Sequence, residues 1–171
     1  MAEQMQHRTL TLDANVVSYY FRFVSKRTVP SGLRVRRIAD FCYGIVDRCP
    51  IAWNPFIKEE YERVVGFVPT KNWLAIRLRK GLVREIECAS LPPSIKSALG
   101  DDYGFDCRSR DVRYLETCFN TALKHLVTEN REHFLRSHRK RNRRTMPAFL
   151  KQKLSICVCT IDQSCDKLLS G

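Results

Sequence analysis

The sequence predicts an α/β protein in which helices cover both faces of a parallel sheet. Short apolar segments at residues 9–12, 50–53, 125–128 and 154–160 have the length and character of buried strands. Segments with helical periodicity lie between them, and this alternation is typical of parallel sheets. The 171-residue chain has no internal repeat or linker, so a single domain over residues 1–171 is expected.

The first half of the chain opens with a short buried strand that Asp13 closes. The predicted elements are, in order, a strand at 9–12, helices at 16–24 and 35–46, and a strand at 50–53. Asn54 and Pro55 follow the second strand. They predict a helix start, with Asn54 as the cap and Pro55 at the first helical position.

The second half is predicted to contain two further strands. Its elements are, in order, helices at 74–86 and 112–122, a strand at 125–128, a short helix after Asn130, a strand at 154–160 and a helix at 162–169. The first of these helices rests on Leu74, Leu78, Leu82 and Ile86, which recur every four residues. Residues 100–104, bounded by glycines, are predicted to be a loop.

Composition and cysteine spacing exclude several classes of protein. No apolar segment approaches about 18 residues, and residues 1–8 carry no signal-peptide pattern, so a cytoplasmic protein that does not span a membrane is expected. None of the eight cysteines forms a CxxC pair. Cys157 and Cys159 share a strand face near Cys165, but no paired histidine or cysteine completes a zinc knuckle. They are predicted to be buried, reduced thiols.

The formal net charge of +12 favours a polyanionic partner. Acidic residues are absent from residues 14–39 and 71–84, and a third basic segment spans 136–144. Each segment alone could be a solvated helix face, but three of them in one domain favour nucleic acid. The nucleic-acid-binding residues predicted in the third segment are Arg136, Arg139, Lys140, Arg141, Arg143 and Arg144.

Four polar residues fall where a parallel sheet binds its ligands, beyond the carboxyl ends of the strands. They are Asp13, Glu60, Asp111 and Asn130. Clustered carboxylates raise one another's pKa, and a divalent cation with oxygen ligands removes that repulsion. A magnesium ion so held polarises a phosphoryl oxygen and activates water, which is the chemistry of a nuclease.

Each acid also has an ordinary structural explanation. Asp13 is suited to cap the helix after it, and Asp111 would favour the positive end of its own helix. Glu60 stands beside Glu59 and Glu62, so it could be one of three solvated acids. The order Asp, Glu, Asp, Asn at matching strand ends is the reason to favour a common site.

Three segments together resemble the PIN-domain family of metal-dependent ribonucleases, many of which are toxins of toxin–antitoxin pairs. LTLDANVV is similar to the family's opening strand, whose aspartate is a metal ligand. NPFIKEEYERVV resembles the second motif, in which the acid before the aromatic residue is used, and that acid is Glu60. SRDVRYLETCFNTALKHLVTENREHF resembles the third motif, in which Asp111 opens a helix leading to a strand that ends in Val-Thr.

The resemblance implies a single PIN-like domain with three α/β/α layers, a four- or five-stranded parallel sheet and a basic segment at 136–144. It implies an endoribonuclease that depends on Mg²⁺ or Mn²⁺, held by Asp13, Glu60 and Asp111. The catalytic set implied by the family is Asp13, Glu60, Asp111 and Asn130, with Asn15 and Thr128 orienting ligands or water from behind. RNA is the implied substrate. An acidic partner such as an antitoxin, and a homodimer, are further expectations.

Alternatives follow from the departures from that pattern. The family often has Asp at the position of Asn130, so a second ion would bind weakly or not at all. A catalytically inactive PIN-like RNA-binding module would keep the basic segments and tolerate Asn130. An aspartate-nucleophile phosphatase usually needs a second aspartate where this chain has Asn15, and is disfavoured. His133 is predicted to be a packing or surface residue, and His138 to be part of the basic surface.

Overall fold

The computed structural model describes residues 8–26, 33–139 and 144–169, and its strands form one five-stranded, all-parallel sheet. The strands are β1 (Leu10–Leu12), β2 (Ile51–Trp53), β3 (Val83–Glu85), β4 (His125–Val127) and β5 (Cys157–Cys159). The helices are α1 (Ala14–Lys26), α2 (Leu33–Ala39), α3 (Pro55–Val65), α4 (Phe67–Arg79), α5 (Pro93–Tyr103), α6 (Val112–Phe119), α7 (Met146–Leu154) and α8 (Ile161–Leu169). A π-helical segment, Asp40–Val46, continues α2. The predicted α/β/α fold class, with five strands, is confirmed.

The strand order β3-β2-β1-β4-β5 reverses its direction between β1 and β4. Successive strands step outward from β1 to β3, and the chain then returns to the other side of β1. Such a reversal opens a crevice at the carboxyl ends of the two central strands, where open α/β sheets bind ligands. Leu12 pairs with Val127, so the residues that follow β1 and β4 lie side by side.

The central strands are buried on both faces. Leu10, Leu12, Leu126 and Val127 are at most 1% exposed. Helix α6 packs on β1 and β4, while α8 packs on β5 and on the π-helical segment. No helix within the described ranges is both long enough and apolar enough to cross a membrane.

Asn54 caps α3 as predicted and also fixes that helix against α6. Its Oδ1 accepts the N–H of Ile57 at 2.9 Å, with Pro55 at the first helical position. Its Nδ2 donates to Thr117 Oγ1, at 2.9 Å, on α6. Because Glu60 lies on α3 and Asp111 directly precedes α6, this bond sets the relative position of the two acids.

The predicted helix at 74–86 is wrong in its second half. Helix α4 ends at Arg79, and Gly81 turns the chain with a φ of +67°. Residues 83–85 then form β3 against β2. Leu82 and Ile86 continue the period of four only by coincidence, since Gly81 takes the left-handed conformation that a helix cannot contain.

Three other predicted boundaries are also corrected. Residues 100–103 are helical rather than a loop, and Gly104, with a φ of +65°, ends α5. The last strand is Cys157–Cys159 rather than 154–160, because α7 runs to Leu154 and turns at Ser155. The segment after Asn130 forms turns rather than a short helix.

Candidate active site

Asp13 is buried at the carboxyl end of β1, with 4% of its surface exposed. The pKa of its carboxyl group is raised from 3.8 to about 6, mainly by burial and in smaller part by the negative charge of Asp111. The hydroxyl of Thr128 donates to Asp13 Oδ2 at 2.7 Å and opposes this shift. The backbone N–H groups of Asn15 and Ala14 also lower the pKa of Asp13. The side chain of Asn15 is exposed.

Thr128 also organises the turn after β4. The same hydroxyl accepts the N–H of Asn130 at 3.0 Å, and Asn130 Oδ1 accepts the N–H of His133 at 3.2 Å. The neighbouring Glu129 turns away and accepts the N–H of Ile161 at the start of α8. The turn thus places Asn130 at the edge of the crevice. The side-chain amide oxygen of Asn130 is already bound to a backbone N–H group of the same turn.

Glu60 is the buried member of its group of three acids, with 5% of its side chain exposed against 67% for Glu59 and 24% for Glu62. Arg63 donates to Glu60 Oε2 at 2.8 Å. The Nε of Arg110 lies 2.7 Å from Glu60 Oε1, but this oxygen accepts no well-aligned hydrogen bond. Two arginines therefore neutralise the carboxylate, and one of its buried oxygens remains poorly satisfied.

Asp111 stands at the start of α6 with a side chain that is 20% exposed. Its carboxylate makes no capping hydrogen bond to the helix. Instead, Asp111 Oδ2 contacts Nδ1 of His133. The sequence offered no signal for this contact, because the two residues are joined only by the folding of the β4 turn against α6.

Two buried tyrosines form the floor below the acids, and neither was predicted. Tyr61 donates to the carbonyl oxygen of Leu12 at 2.8 Å, which ties α3 to the end of β1. The N–H of Ala14 donates to Tyr114 Oη at 3.2 Å, which ties α6 to the start of α1. Burial, and then the nearby Tyr61 and Asp13, raise the pKa of Tyr114, so its hydroxyl stays protonated.

The structure brings the predicted acids to one crevice without closing a ligand cage. Asp13 and Asp111 are near enough for the charge of one to raise the pKa of the other. Within the described residues, however, the group with three metal-ligating atoms inside 4.8 Å of one another is His125, Cys157 and Cys159. The acids are instead neighbours, held by a hydroxyl, two arginines and a histidine.

A basic groove of about 540 Å³ adjoins the crevice. Its lining includes Phe56, Glu59, Lys96, Arg108, Arg110 and Arg113. The Arg110 guanidinium lies 5.7 Å from the Phe56 ring centre. At the back, the buried Glu116 binds Lys96 at 2.8 Å and Arg113 at 3.6 Å. In the sequence, the arginines at positions 108, 110 and 113, on both sides of Asp111, are the pattern that could have indicated this groove.

The third basic segment is partly committed to contacts within the protein. The Arg136 guanidinium donates to the carbonyl oxygens of Glu132 and Gly104. The Arg139 guanidinium lies against Gly104, where a side chain would find no space. Arg144 is exposed. The other three predicted residues, Lys140, Arg141 and Arg143, lie outside the described residues.

His138 does not belong to the basic surface, so that prediction is wrong. Its side chain is only 9% exposed. Its ring packs edge-on against Tyr103, with 5.3 Å between ring centres, and its Nε2 lies 3.6 Å from Asp102 Oδ1. Packing against α5 removes the ring from solvent.

No protein-family model, curated protein or solved structure matches the chain.

Proposed function

We propose that the protein is an endoribonuclease that depends on Mg²⁺ or Mn²⁺. One observation carries the proposal: acids from three separate segments line one crevice at the reversal point of the sheet. These residues are Asp13 after β1, Glu60 on α3 and Asp111 before α6, with Asn130 after β4. The basic groove beside them suits a polyanionic backbone. The choice of RNA rests on the resemblance to PIN-domain ribonucleases.

The chemistry of the acids fits a hard divalent cation. Carboxylate oxygens are the ligands that Mg²⁺ and Mn²⁺ prefer. Asp13 has no basic side chain within ion-pair distance among the described residues, and Glu60 Oε1 is buried without a well-aligned donor. A bound ion would supply Lewis acidity at a phosphoryl oxygen and lower the pKa of an attacking water.

The other residues of the crevice would position these ligands and the RNA. Thr128 holds the Asp13 carboxylate through the bond to Oδ2. Tyr61 fixes α3, which carries Glu60, and Tyr114 fixes α6, which begins directly after Asp111. Arg110, once displaced from Glu60, would face the basic groove and contact an RNA phosphate. The antitoxin-like partner and the homodimer stay predictions from the resemblance.

A second candidate is an RNA-binding module without catalysis. The observation that favours it is that protein groups already contact two of the acids: Arg63 and Arg110 hold Glu60, and His133 contacts Asp111. Such a module would bind RNA equally well with and without metal and would cut none. RNA cleavage is therefore the measurement that distinguishes the two candidate functions.

Replacing Glu60 by Gln is expected to lower the RNA cleavage rate at least about a hundredfold while leaving RNA affinity nearly unchanged. Glu62→Gln, two positions away on α3 and outside the lining of the basic groove, is the matched control and should cleave at the wild-type rate. The assay uses an RNA pool with Mg²⁺ or Mn²⁺ and the same reaction with EDTA. Equal activity of the two variants would remove Glu60 from the site. If the wild-type protein cuts no RNA, the nuclease proposal is excluded and the RNA-binding module is the candidate that remains.

The double change Arg108→Ala with Arg113→Ala is expected to weaken RNA binding and to reduce the slope of log affinity against log salt by about 1 to 2. Both side chains are exposed and line the basic groove. The control, Lys151→Ala with Lys153→Ala, removes the same charge from exposed positions of α7, outside the basic groove and the three basic segments. Filter binding at several salt concentrations measures both. Identical slopes for the two double variants would exclude the groove as the RNA path.

A further inference from the structure

A second cluster of ligating groups, which includes none of the acids, lies on one face of the sheet at β4 and β5. His125 on β4 pairs with Cys157 on β5, and Val127 pairs with Cys159. Paired residues of a parallel sheet point to the same side, as do alternate residues of one strand. The three side chains therefore converge, and their ligating atoms all lie within 4.8 Å of one another.

The cluster is enclosed on one side and open on the other. His125 and Cys159 are buried, with Cys159 Sγ 2.7 Å from His125 Nε2 and 3.0 Å from Ser164 Oγ. Cys157 is only partly buried and faces a groove of about 480 Å³. Lys167, which also lines the groove, donates to Cys157 Sγ at 3.0 Å.

The three side chains are of kinds that bind metal ions, cysteine as a thiolate and histidine as a neutral imidazole. The Lys167 ammonium, which donates to Cys157 Sγ, already places a positive charge where a bound cation would lie.

We propose that His125, Cys157 and Cys159 bind one zinc-class ion, with the fourth coordination position open to the groove. Thiolates with imidazole select zinc over magnesium, and three protein ligands leave one position for solvent. The inference is independent of the proposed nuclease function, since it uses none of the acids. It also revises the expectation of plain buried thiols, because strand pairing supplies the histidine that the local sequence lacks.

Binding requires two small rearrangements. The separation of Cys159 Sγ from His125 Nε2 must widen from 2.7 Å to about 3.5 Å, the spacing that tetrahedral zinc imposes on a sulfur and a nitrogen ligand. The Lys167 ammonium must leave Cys157 for the groove. The bound ion would then join β4 to the edge strand β5, whose Cys159 carbonyl oxygen accepts the N–H of Thr128 at 2.9 Å.

The test titrates Zn²⁺ into the reduced, metal-free full chain by calorimetry, and Co²⁺ as a spectroscopic probe. One ion per chain is expected, with a thiolate-to-cobalt absorption band and tetrahedral cobalt bands. Cys157→Ser and Cys159→Ser should each lower the affinity at least about a hundredfold, whereas Cys107→Ser, a half-buried thiol elsewhere, should not. Saturating Zn²⁺, at about a hundred times Kd, should raise the Tm by about 5 to 10 °C.

Two more variants distinguish this site from simple structural thiols and from the acid crevice. Lys167→Gln should still bind one Zn²⁺ ion per chain and give the same tetrahedral cobalt bands, because the ammonium is not a ligand. Asp13→Asn should leave Zn²⁺ affinity unchanged. Wild-type affinity in both cysteine variants, with the fold intact by circular dichroism, would overturn the proposal. Loss of the ion in Asp13→Asn would overturn it as well, since the ion would then belong to the acids.

Discussion

Replacing Asp13 by Asn is expected to abolish RNA cleavage and, at the same time, to stabilise the protein at neutral pH. The carboxylate is as deeply buried as that of Glu60, with 4% of each residue exposed. Unlike Glu60 and Asp111, it has no basic side chain within ion-pair distance among the described residues. An amide of the same shape keeps an oxygen for the bond from Thr128 but brings no charge to hold a divalent cation. Cleavage should fall at least about a hundredfold, while RNA binding should persist.

The sign of the stability effect follows from the raised pKa. Because Asp13 titrates near 6 in the folded protein and near 3.8 in the unfolded chain, folding favours its protonated form. The protonated carboxyl group therefore stabilises the fold fully below about pH 4, and this stabilisation is lost as the pH rises through 6. At pH 7.5 the ionised group costs at most about 3 kcal/mol, and Asp13→Asn removes this cost.

Urea unfolding at pH 4 and pH 7.5 measures the effect. The free energy of unfolding of Asp13→Asn should exceed that of the wild type at pH 7.5, and the gain should shrink toward pH 4. Asp101→Asn, which changes an exposed acid on α5, is the control and should match the wild type at both values. A variant that is equally destabilised at both pH values would contradict the buried-charge account. Added Mg²⁺ should stabilise the wild type more than Asp13→Asn.

Replacing Arg77 by Met is expected to lower the free energy of unfolding by about 3 kcal/mol. Arg77 is 3% exposed and donates at 2.7 Å to two carbonyl oxygens. One belongs to Val46, the last residue of the π-helical segment, and the other to Cys49, in the turn that follows it. Its guanidinium also lies 4.9 Å from the ring centre of Trp73. Methionine fills a similar space but leaves both buried carbonyl groups without their donor.

Arg79→Met on the same helix is the matched control for Arg77→Met. Arg79 is exposed, so its change should stay within about 0.5 kcal/mol of the wild type. Urea unfolding curves of the two variants give the comparison directly. If Arg77→Met were as stable as Arg79→Met, the guanidinium would not be what joins α4 to the end of the π-helical segment.

The fold class could be predicted because each central strand is a short apolar segment followed by a polar residue. The same feature located Asp13 and Asn130, since the end of a buried strand is visible in the sequence. The strand β3 was missed because Val83 follows a leucine period that runs across Gly81. The helix α7 was missed because it follows directly on the basic segment, where positive charge rather than apolar periodicity is the dominant pattern.

The contacts inside the crevice could not be predicted, because they join segments that are distant along the chain. Arg110 meets Glu60 only when α6 packs against α3, and His133 meets Asp111 only when the β4 turn folds back. The contact of His125 with Cys157 was not predicted for the same reason, because it depends on the register of β4 and β5. Local patterns identify strand ends and caps, whereas partners depend on the strand order.

The proposed metal site can be tested by a crystal structure with Mn²⁺, because the anomalous signal of manganese locates the ion without ambiguity. A peak is expected between Asp13, Glu60 and Asp111, with the Arg110 guanidinium displaced from Glu60 toward the basic groove. No peak there at saturating Mn²⁺, with Arg110 still bound to Glu60, would show that these acids hold no ion and would exclude the metal-dependent nuclease.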